Sequence, residues 1–296
     1  MTSAGAQFRD EIKRARASGL PLHIIGVADG SDALEAERAG FKAIYLSGSQ
    51  IAASRGWADI GRVELRHVVE NAQRILDSGV KLPLMVDIDT GFDDVAKTIE
   101  TLEKMGIAAV HLEDQEDLKS CGHLPGKHVV NRDAAVARLT KAVKAKKDAS
   151  FVILARTDAL AVEGLDKTLE RIAAYSNAGA DMIFAEAFPD VASYSAVKKA
   201  AAGKPVLANM TEFGQVALKT PKELFDETGG NVDIVLNPLT VYRAQRLTAA
   251  EMYKELHAKG TQRGMETRLQ NREDFQKLID YPGQVKSRAE LLKKSG

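Results

Sequence analysis

The sequence predicts an α/β fold of the (β/α)8 barrel type, with a helical tail. Eight short apolar runs alternate with longer segments of helical period. The runs are apolar at nearly every position, which is typical of parallel strands covered on both faces. No linker rich in Pro, Gly or Ser divides the chain, so we expect one catalytic domain. An open doubly wound sheet fits the same pattern, but eight strand-helix units favour the barrel.

The eight runs, in order, are residues 22–29, 43–48, 83–89, 109–114, 151–158, 182–187, 205–210 and 233–238. Segments between them, such as 94–106 and 165–179, have the spacing of amphipathic helices and close at glycine. We assign residues 1–260 to the barrel. The polar tail, 261–296, has helical character and lies beyond the eighth unit, so we expect it to pack on a partner subunit or to be exchanged with one.

Composition points to a small-molecule enzyme. The 296 residues carry 41 basic and 41 acidic side chains, so no net charge attracts nucleic acid or an anionic membrane. The amino terminus lacks the apolar stretch of a signal peptide, and no run approaches the roughly 18 apolar residues of a membrane span. We therefore expect a soluble, cytoplasmic protein without a membrane or nucleic-acid partner. The single cysteine forms no internal disulfide.

Polar residues follow the apolar part of nearly every predicted strand. The carboxyl ends of barrel strands converge on one mouth, where the catalytic groups of such enzymes lie. Polar residues that merely end strands at the surface are the alternative, but carboxylates, an arginine and amides recur at this one edge. The set is Asp29, Ser47 with Gly48 and Ser49, Asp87 with Asp89, Glu113 with Asp114, Arg156 with Asp158, Glu186, Asn209 with Thr211, and Asn237.

Asp87 and Asp89 form the sharpest of these groups. They are two residues apart on a predicted strand, so their side chains point to the same side. Two such carboxylates repel each other unless a cation lies between them. Oxygen ligands without His or thiolate partners favour Mg2+, with Mn2+ as the second choice, and with water and substrate oxygens completing the coordination. Glu113 is a candidate acceptor for metal-bound water. Alternatively, the pair caps a helix that begins near Asp93.

Cys121 lies in a connection of about 18 residues before a helix expected near Asp133, whereas common connections have about 4–6. Long loops at this face often act as lids. Lys119 and His123 flank the thiol and favour its thiolate form. A buried, hydrophobic cysteine is the alternative, but its neighbours are polar, and His123 alone is too little for a zinc site. Acid-base or covalent chemistry is the remaining prediction.

Eight motifs resemble, in order, those of the isocitrate lyase and phosphoenolpyruvate mutase superfamily. They are YLSGS (45–49), VDIDTGFD (86–93), HLEDQ (111–115), KSCGH (119–123) with GK (126–127), FVILARTDAL (151–160), FAEA (184–187), NMTEFG (209–214) and NPLTVYRA (237–244). The resemblance spans almost the whole chain and is closest to the 2-methylisocitrate lyases. The CGH element distinguishes the chain from the phosphonate mutases and phosphonopyruvate hydrolases of the superfamily.

The resemblance implies a Mg2+-dependent carbon-carbon lyase that cleaves 2-methylisocitrate to pyruvate and succinate in a retro-aldol type step. Asp87 and Asp89 would hold the metal, and Cys121 would protonate the succinate carbanion with help from Lys119 and His123. Asp59 matches a carboxylate that touches metal-bound water. The positions matching substrate-binding residues are Ser47, Gly48, Ser49, Gly122, Arg156, Glu186, Asn209, Met210, Thr211, Arg243 and Arg272. The resemblance also implies a homotetramer built as a dimer of dimers. The base that takes the hydroxyl proton is not assigned.

Two departures from the family pattern concern the substrate. Ser120 occupies a position that is usually Lys or Arg, and Leu124-Pro125-Gly126-Lys127 replaces the usual Arg-Pro-Asn-Lys. Both changes remove polar or positive groups. Two alternatives therefore stand beside methylisocitrate cleavage: a related enzyme acting on 2,3-dimethylmalate or oxaloacetate, and a non-catalytic barrel that serves as a scaffold.

Overall fold

A computed structural model of the chain describes residues 2–116, 126–188, 190–214 and 217–295. In it, eight parallel strands close into a barrel in sequence order, with the last beside the first. The closed order confirms the (β/α)8 barrel and excludes the open doubly wound sheet. The strands are β1 (Leu22–Gly26), β2 (Ile44–Leu46), β3 (Leu84–Asp87), β4 (Ala109–Glu113), β5 (Val152–Thr157), β6 (Met182–Ala185), β7 (Val206–Asn209) and β8 (Ile234–Asn237).

Helices surround the strands and continue into the tail. The two helices predicted to close at glycine do so, because Gly106 and Gly179 follow them with φ of 84° and 101°. The helices are α1 (Ala4–Ala17), α2 (Gly30–Arg38), α3 (Gly48–Ser54), α4 (Leu65–Asp77), α5 (Val95–Lys104), α6 (Arg132–Ala145), α7 (Leu160–Glu163), α8 (Leu165–Asn177), α9 (Ser193–Ala200), α10 (Pro221–Glu227), α11 (Thr240–Lys259), α12 (Arg272–Leu278) and α13 (Tyr281–Ser295).

Each strand buries both of its faces. Successive side chains of a strand point to opposite sides, so alternate residues face the barrel axis and the residues between them face the helices. The inner cluster includes Ile24, Tyr45, Met85, Leu154, Phe184 and Leu207, and the outer cluster includes their neighbours Ile25, Ile44, Val86, Ile153, Ile183 and Val206. This burial on both faces explains the nearly continuous apolar runs of the sequence.

The first helix covers the amino-terminal end of the barrel. Phe8 and Ile12, one helical turn apart on α1, are buried in the inner cluster. Arg9 reaches Asp181 at the start of β6, and Arg16 reaches Asp233 at the start of β8. The mouth at the opposite end is therefore the end available for a functional site.

The last barrel helix, α11, leaves large apolar side chains exposed. None of the 20 residues of α11 is buried, and Leu247, Tyr253 and Leu256 are 65%, 74% and 38% exposed. In the part of the chain that the structure describes, no helix is both long and apolar enough to cross a membrane.

Candidate active site

The alternation of side chains sorts the polar strand ends into two groups. Asp114 and Asn237 have the alternation of the outer cluster: Asp114 accepts a hydrogen bond from Tyr175 of α8, and Asn237 pairs with His23. Asp29 caps α2. The residues that share the alternation of the inner cluster face the mouth together, and they are Ser47, Asp87, Glu113, Arg156, Glu186 and Asn209.

Asp87 and Asp89 meet at the backbone of Gly48. A Cβ atom built on Gly48 would lie 2.9 Å from Asp87 Oδ2 and 3.1 Å from Asp89 Oδ1. The N–H groups of Gly48 and Asp89 donate to the Asp87 carboxylate over 3.0 and 3.1 Å. The convergence of the two side chains was predicted, but not its geometry. The strand ends at Asp87, and Asp89 lies beyond it in the left-handed region, with φ of 47°.

The capping alternative for this pair is wrong. The cap of α5 is Asp94, whose carboxylate accepts a hydrogen bond from the N–H of Ala96 over 3.0 Å. Within the described ranges, no group of three or more His, Cys, Asp or Glu residues is arranged to hold a metal ion. Any cation at Asp87 and Asp89 would therefore take much of its coordination from water and substrate, as the sequence predicts. Their oxygen donors and their approach at Gly48 fit a small, hard cation.

Arg156 lies at the centre of a second cluster of charges. Its Nε and Nη2 atoms donate to Asp158 Oδ2 and Oδ1 over 2.9 and 3.2 Å. Glu113 Oε2 lies 3.5 Å from Nε, and Glu186 Oε2 lies 3.7 Å from Nη2. Burial lowers the pKa of Arg156, but the three carboxylates outweigh it and hold the pKa well above the usual value. The guanidinium is thus a permanent cation at the mouth.

The aspartate pair and the Arg156 cluster are joined through the backbone. The N–H of Glu113 donates to the backbone oxygen of Asp89 over 3.0 Å, and Glu113 pairs in register with Arg156. The metal-ligand candidates and the arginine are therefore held by three adjacent strands, β3, β4 and β5.

A long connection follows β4, as the sequence predicts. It comprises residues 114–131, between Glu113 and the first residue of α6. A bridge between Gln115 and Val129 joins its two ends, and the N–H of Val130 donates to Asp114 O over 2.9 Å. Lys119, Ser120, Cys121, Gly122, His123 and Leu124 lie outside the described residues, so the predictions made for them stay predictions.

Comparisons with known proteins agree with this geometry. The phosphoenolpyruvate phosphomutase family model matches residues 12–252. A 2-methylisocitrate lyase of Shewanella oneidensis is 46% identical over 283 residues, covering 94% of each chain. The chain belongs to the phosphoenolpyruvate mutase and isocitrate lyase family.

Two solved structures of this family have closely similar folds. One is 2,3-dimethylmalate lyase, with a TM-score of 0.88 at 30% identity, covering 98% of this chain and 96% of that chain. The other is oxaloacetate acetylhydrolase in complex with 3,3-difluorooxalacetate, with a TM-score of 0.88 at 29% identity, covering 98% and 97%. As a member of this family the chain is an enzyme of the lyase type, and the scaffold alternative is wrong.

The other family positions differ in how close they lie to the mouth. Ser47 is a buried cap residue of α3, and Ser49 is in its first turn. Met210 and Thr211 are buried just after β7. Arg243 of α11 donates to Glu212 O over 2.8 Å, and Asp59 is half-buried between α3 and α4. Arg272, the first residue of α12, is exposed on a helix that packs against α2 and is not brought to the mouth within this chain.

The sequence interpretation missed several polar residues of the barrel interior. His111 Nε2 lies 2.8 Å from the Tyr45 hydroxyl and 3.5 Å from Asp87 Oδ1, and the His111 ring contacts Phe184. Lys127, also buried, lies 3.4 Å from Asp158. The signal for His111 was present, since it has the alternation of Glu113 in an otherwise apolar run. Lys127 belongs to the GK motif, but nothing in the local sequence indicates its contact with Asp158.

A cleft of about 630 Å3 opens beside Asp89 and Thr90. Val63 and Phe92 form part of its wall, and Lys97 adds a positive charge. Its volume lies in the range of small-molecule sites in proteins, which is roughly 300–1,000 Å3. The cleft adjoins the carboxylate pair and is large enough for a small hydroxy acid.

Proposed function

We propose that the chain is a Mg2+-dependent carbon-carbon lyase that cleaves 2-methylisocitrate to pyruvate and succinate. One observation carries the proposal: Asp87 and Asp89 converge at Gly48, next to the Arg156 cluster, in a barrel whose relatives include 2-methylisocitrate lyases at 36–46% identity. Cleavage of this kind develops negative charge on an alcohol oxygen and on a carbon atom. It therefore needs a cation at the oxygen and a proton donor at the carbon.

The charge of the mouth supports a metal requirement. In the part of the chain that the structure describes, the cluster holds five carboxylates, Asp87, Asp89, Glu113, Asp158 and Glu186, and two cations, Arg156 and Lys127. A substrate with three carboxylates would be repelled by such an excess of negative charge. A divalent cation at the aspartate pair offsets this repulsion.

Asp87 and Asp89 would hold the ion through carboxylate oxygens. Mg2+ is the first choice and Mn2+ the second, because all of the donors are oxygen atoms. When bound, the ion acts as a Lewis acid toward the hydroxyl oxygen of the substrate. Asp59 and Glu113 are the candidates for contacts with its water molecules.

The chain's own residues orient the substrate and supply the proton. Arg156 would bind a carboxylate of the pyruvate half, together with Ser47 and Ser49. The N–H of Gly48 already donates to Asp87, and the serine hydroxyls are candidate donors of that turn. Cys121 would protonate the succinate carbon, with Lys119 and His123 tuning its acidity. These three residues are assigned from the resemblance alone. The candidates for the succinate carboxylates are Gly122, Glu186, Asn209, Met210, Thr211, Arg243 and Arg272.

A second candidate function is cleavage of 2,3-dimethylmalate or hydrolysis of oxaloacetate. Similarity to solved enzymes of both kinds, each with a TM-score of 0.88, supports it. The uncharged Ser120 and Leu124 also fit a substrate with fewer carboxylates than methylisocitrate. We further propose a cytoplasmic homotetramer, which the unburied α11 supports.

A substrate panel tests both functions. The purified protein is mixed with 2-methylisocitrate, isocitrate, 2,3-dimethylmalate or oxaloacetate, with Mg2+, with Mn2+ or with a chelator, and the products are separated and quantified. We expect pyruvate and succinate from 2-methylisocitrate with a divalent ion, and no turnover with the chelator.

Each other outcome has a distinct meaning. Propionate and pyruvate from dimethylmalate, or oxalate and acetate from oxaloacetate, at higher kcat/KM would replace the first function by the second. Equal turnover after removal of the metal would contradict the proposed role of Asp87 and Asp89. No turnover of any of the four acids would overturn both functions.

A further inference from the structure

Arg156 has one edge occupied and one edge open. Asp158 accepts from Nε and from Nη2, which together form the side edge of the planar guanidinium. Within the described residues, no hydrogen bond involves Nη1. The other fork of the group, Nη1 with the second hydrogen of Nη2, is therefore the edge available to a ligand carboxylate.

Asp158 is itself held from several sides. Its side chain is fully buried, and its N–H donates to Asp114 Oδ1 over 2.9 Å. Thr157 Oγ1 donates to the other Asp114 oxygen over 2.7 Å. Lys127 Nζ approaches Asp158 Oδ1 to 3.4 Å. The carboxylate thus has a fixed position, and the arginine that it pairs with is fixed in turn.

The open edge of Arg156 is kept clear of its nearest competitor. Glu186 Oε2 lies 3.7 Å from Nη2, beyond hydrogen-bond distance. Asn209 Nδ2 lies 3.3 Å from both oxygens of Glu186. The ring of Phe184 lies under the guanidinium, with the Arg156 Cζ atom 5.2 Å from the ring centre. These contacts restrict how far the guanidinium can rotate.

We propose that Asp158 is a positioning residue: by taking the Nε and Nη2 edge of Arg156, it presents the Nη1 and Nη2 edge to a carboxylate of the substrate. The proposal deepens the function given above and rests on it. In this proposal Asp158 and Arg156 together, and not Arg156 alone, select a 2-oxo or 2-hydroxy acid by its carboxylate. The reason is that a bidentate guanidinium recognises a carboxylate only when the plane of the guanidinium is fixed.

Binding of pyruvate and oxalate in the presence of Mg2+, measured by calorimetry, tests the proposal. We expect Asp158→Asn to raise Kd by about 10-fold or more, since one oriented charge-assisted pair is lost. Arg156→Lys should raise Kd as well. Asp158→Asn added to Arg156→Lys should cause little further change, because Asp158 acts through the arginine. In turnover, KM should rise more than kcat falls.

Asp181→Asn is the matched control. Asp181 also pairs with an arginine and a lysine, Arg9 and Lys146, but at the opposite end of the barrel. It should lower the melting temperature and leave Kd unchanged. Asp158→Ser, which introduces no amide beside Lys127, is the second variant and should match the Kd of Asp158→Asn.

Three results would overturn the positioning role. The first is an unchanged Kd in folded Asp158→Asn. The second is a double variant whose fold-change in Kd equals the product of the fold-changes of Asp158→Asn and Arg156→Lys. The third is loss of folding in both Asp158 variants, which would make the residue structural. Wild-type protein that binds pyruvate but turns over no acid would contradict the proposed function and leave the binding test of Asp158 intact. If wild-type protein bound neither pyruvate nor oxalate, both proposals would fall.

Discussion

Gly48 allows two carboxylates to approach one backbone position. A side chain there would press against Asp87 and Asp89 at about 3 Å, closer than nonbonded atoms normally come. Holding two like charges this close costs free energy in the absence of a cation. Functional sites of this kind often lower the stability of the fold. Substitutions at the aspartate pair should therefore affect stability and activity differently.

Asp89→Asn should strongly reduce activity without lowering stability in the absence of metal. Removing one of the two like charges relieves their repulsion, while the ion loses a charged ligand. We expect kcat/KM to fall by about 100-fold or more and the melting temperature in a chelator to stay equal or rise. Manganese binding, followed by electron paramagnetic resonance, should weaken in parallel. Asp10→Asn, a surface change on α1, is the control. Full activity in Asp89→Asn would remove the carboxylate pair from the mechanism.

The residues of the site were predictable to different degrees. Asp87, Glu113 and Arg156 follow from strand alternation and position alone, because a parallel barrel brings all carboxyl ends to one mouth. The pairing of Asp158 with Lys127 was not predictable, because it joins a strand end to a loop 31 residues earlier. Such contacts depend on tertiary packing, which local pattern does not specify.

Two similar ion clusters fasten the elements at the amino-terminal end of the barrel. Asp181 binds Arg9 of α1 and Lys146, and accepts from the N–H of Ile153. Asp233 binds Arg16 of α1 and Lys198, and accepts from the N–H of Val206. Each aspartate therefore joins α1, a lysine near the end of a barrel helix and a neighbouring strand.

Asp233→Asn should destabilise the fold without affecting the site. The Asp233 side chain is 2% exposed, so its loss leaves Lys198 and the Val206 N–H poorly paired. Because Arg16 is partly exposed, we expect a loss of about 2 kcal/mol in the free energy of unfolding, below the usual cost for a fully buried pair. Chemical denaturation measures it, and kcat/KM of the folded protein should be unchanged. An unaltered unfolding free energy would show that the cluster contributes nothing.

The start of α4 contains a titratable cap. His67, in the first turn, accepts a hydrogen bond from the N–H of Glu64 at its Nδ1 atom over 3.0 Å. Burial lowers the pKa of His67 from its usual value of 6.5, and the positive charges of Arg66 and Arg55 lower it further. Protonation would also remove the lone pair that accepts the bond.

Stability should therefore fall as the pH falls below about 6.5, the pKa of an unfolded histidine. The folded state binds the proton less readily than the unfolded state, so stability is lost progressively between that pH and the lower folded pKa of His67, and it is not regained below that pKa. His67→Gln keeps an acceptor at this capping position and does not titrate. The melting temperature of the variant should drop less between pH 7.5 and 5.5 than that of the wild type. Equal drops would contradict the role of His67.

The sequence predicted the eight strands better than it predicted the first and last helices of the barrel. All eight strands lie within the apolar runs, because burial on both faces leaves a strong signal. The first helix was missed, since only Phe8 and Ile12 of its 14 residues are large and buried. The exposed state of α11 was also not foreseen, because a sequence pattern does not reveal which helices of a barrel are left without buried residues.

The whole molecule keeps its two ends chemically separate. Helix α1 and two ion clusters, each with one aspartate and two basic side chains, close the amino-terminal end of the barrel. The described residues of the mouth hold more carboxylates than cations around Arg156. Substitutions at one end should therefore leave the other largely unaffected, because changes at distant sites combine additively. This separation makes the control variants at Asp181 and Asp10 informative.

The exposed face of α11 should bind a second copy of the chain. Leu247 and Tyr253 are 65% and 74% exposed, and no residue of α11 is buried. Burying one such side chain contributes about 1.5–3 kcal/mol, so a two-fold contact would gain several kcal/mol. We expect sedimentation to give four times the 32.0 kDa chain mass.

Leu247→Asp with Tyr253→Asp should shift this assembly toward smaller species, because both substitutions place charges in the contact. The dissociation constant should rise by about 10-fold or more for each substitution. Lys254→Arg, a neighbouring change that preserves charge, is the control and should sediment as the wild type does. Activity measured across the same concentration range then reports whether the site depends on assembly. Wild-type protein that sediments as a single chain of 32.0 kDa at every concentration would contradict the tetramer and leave the exposed face of α11 without the proposed partner.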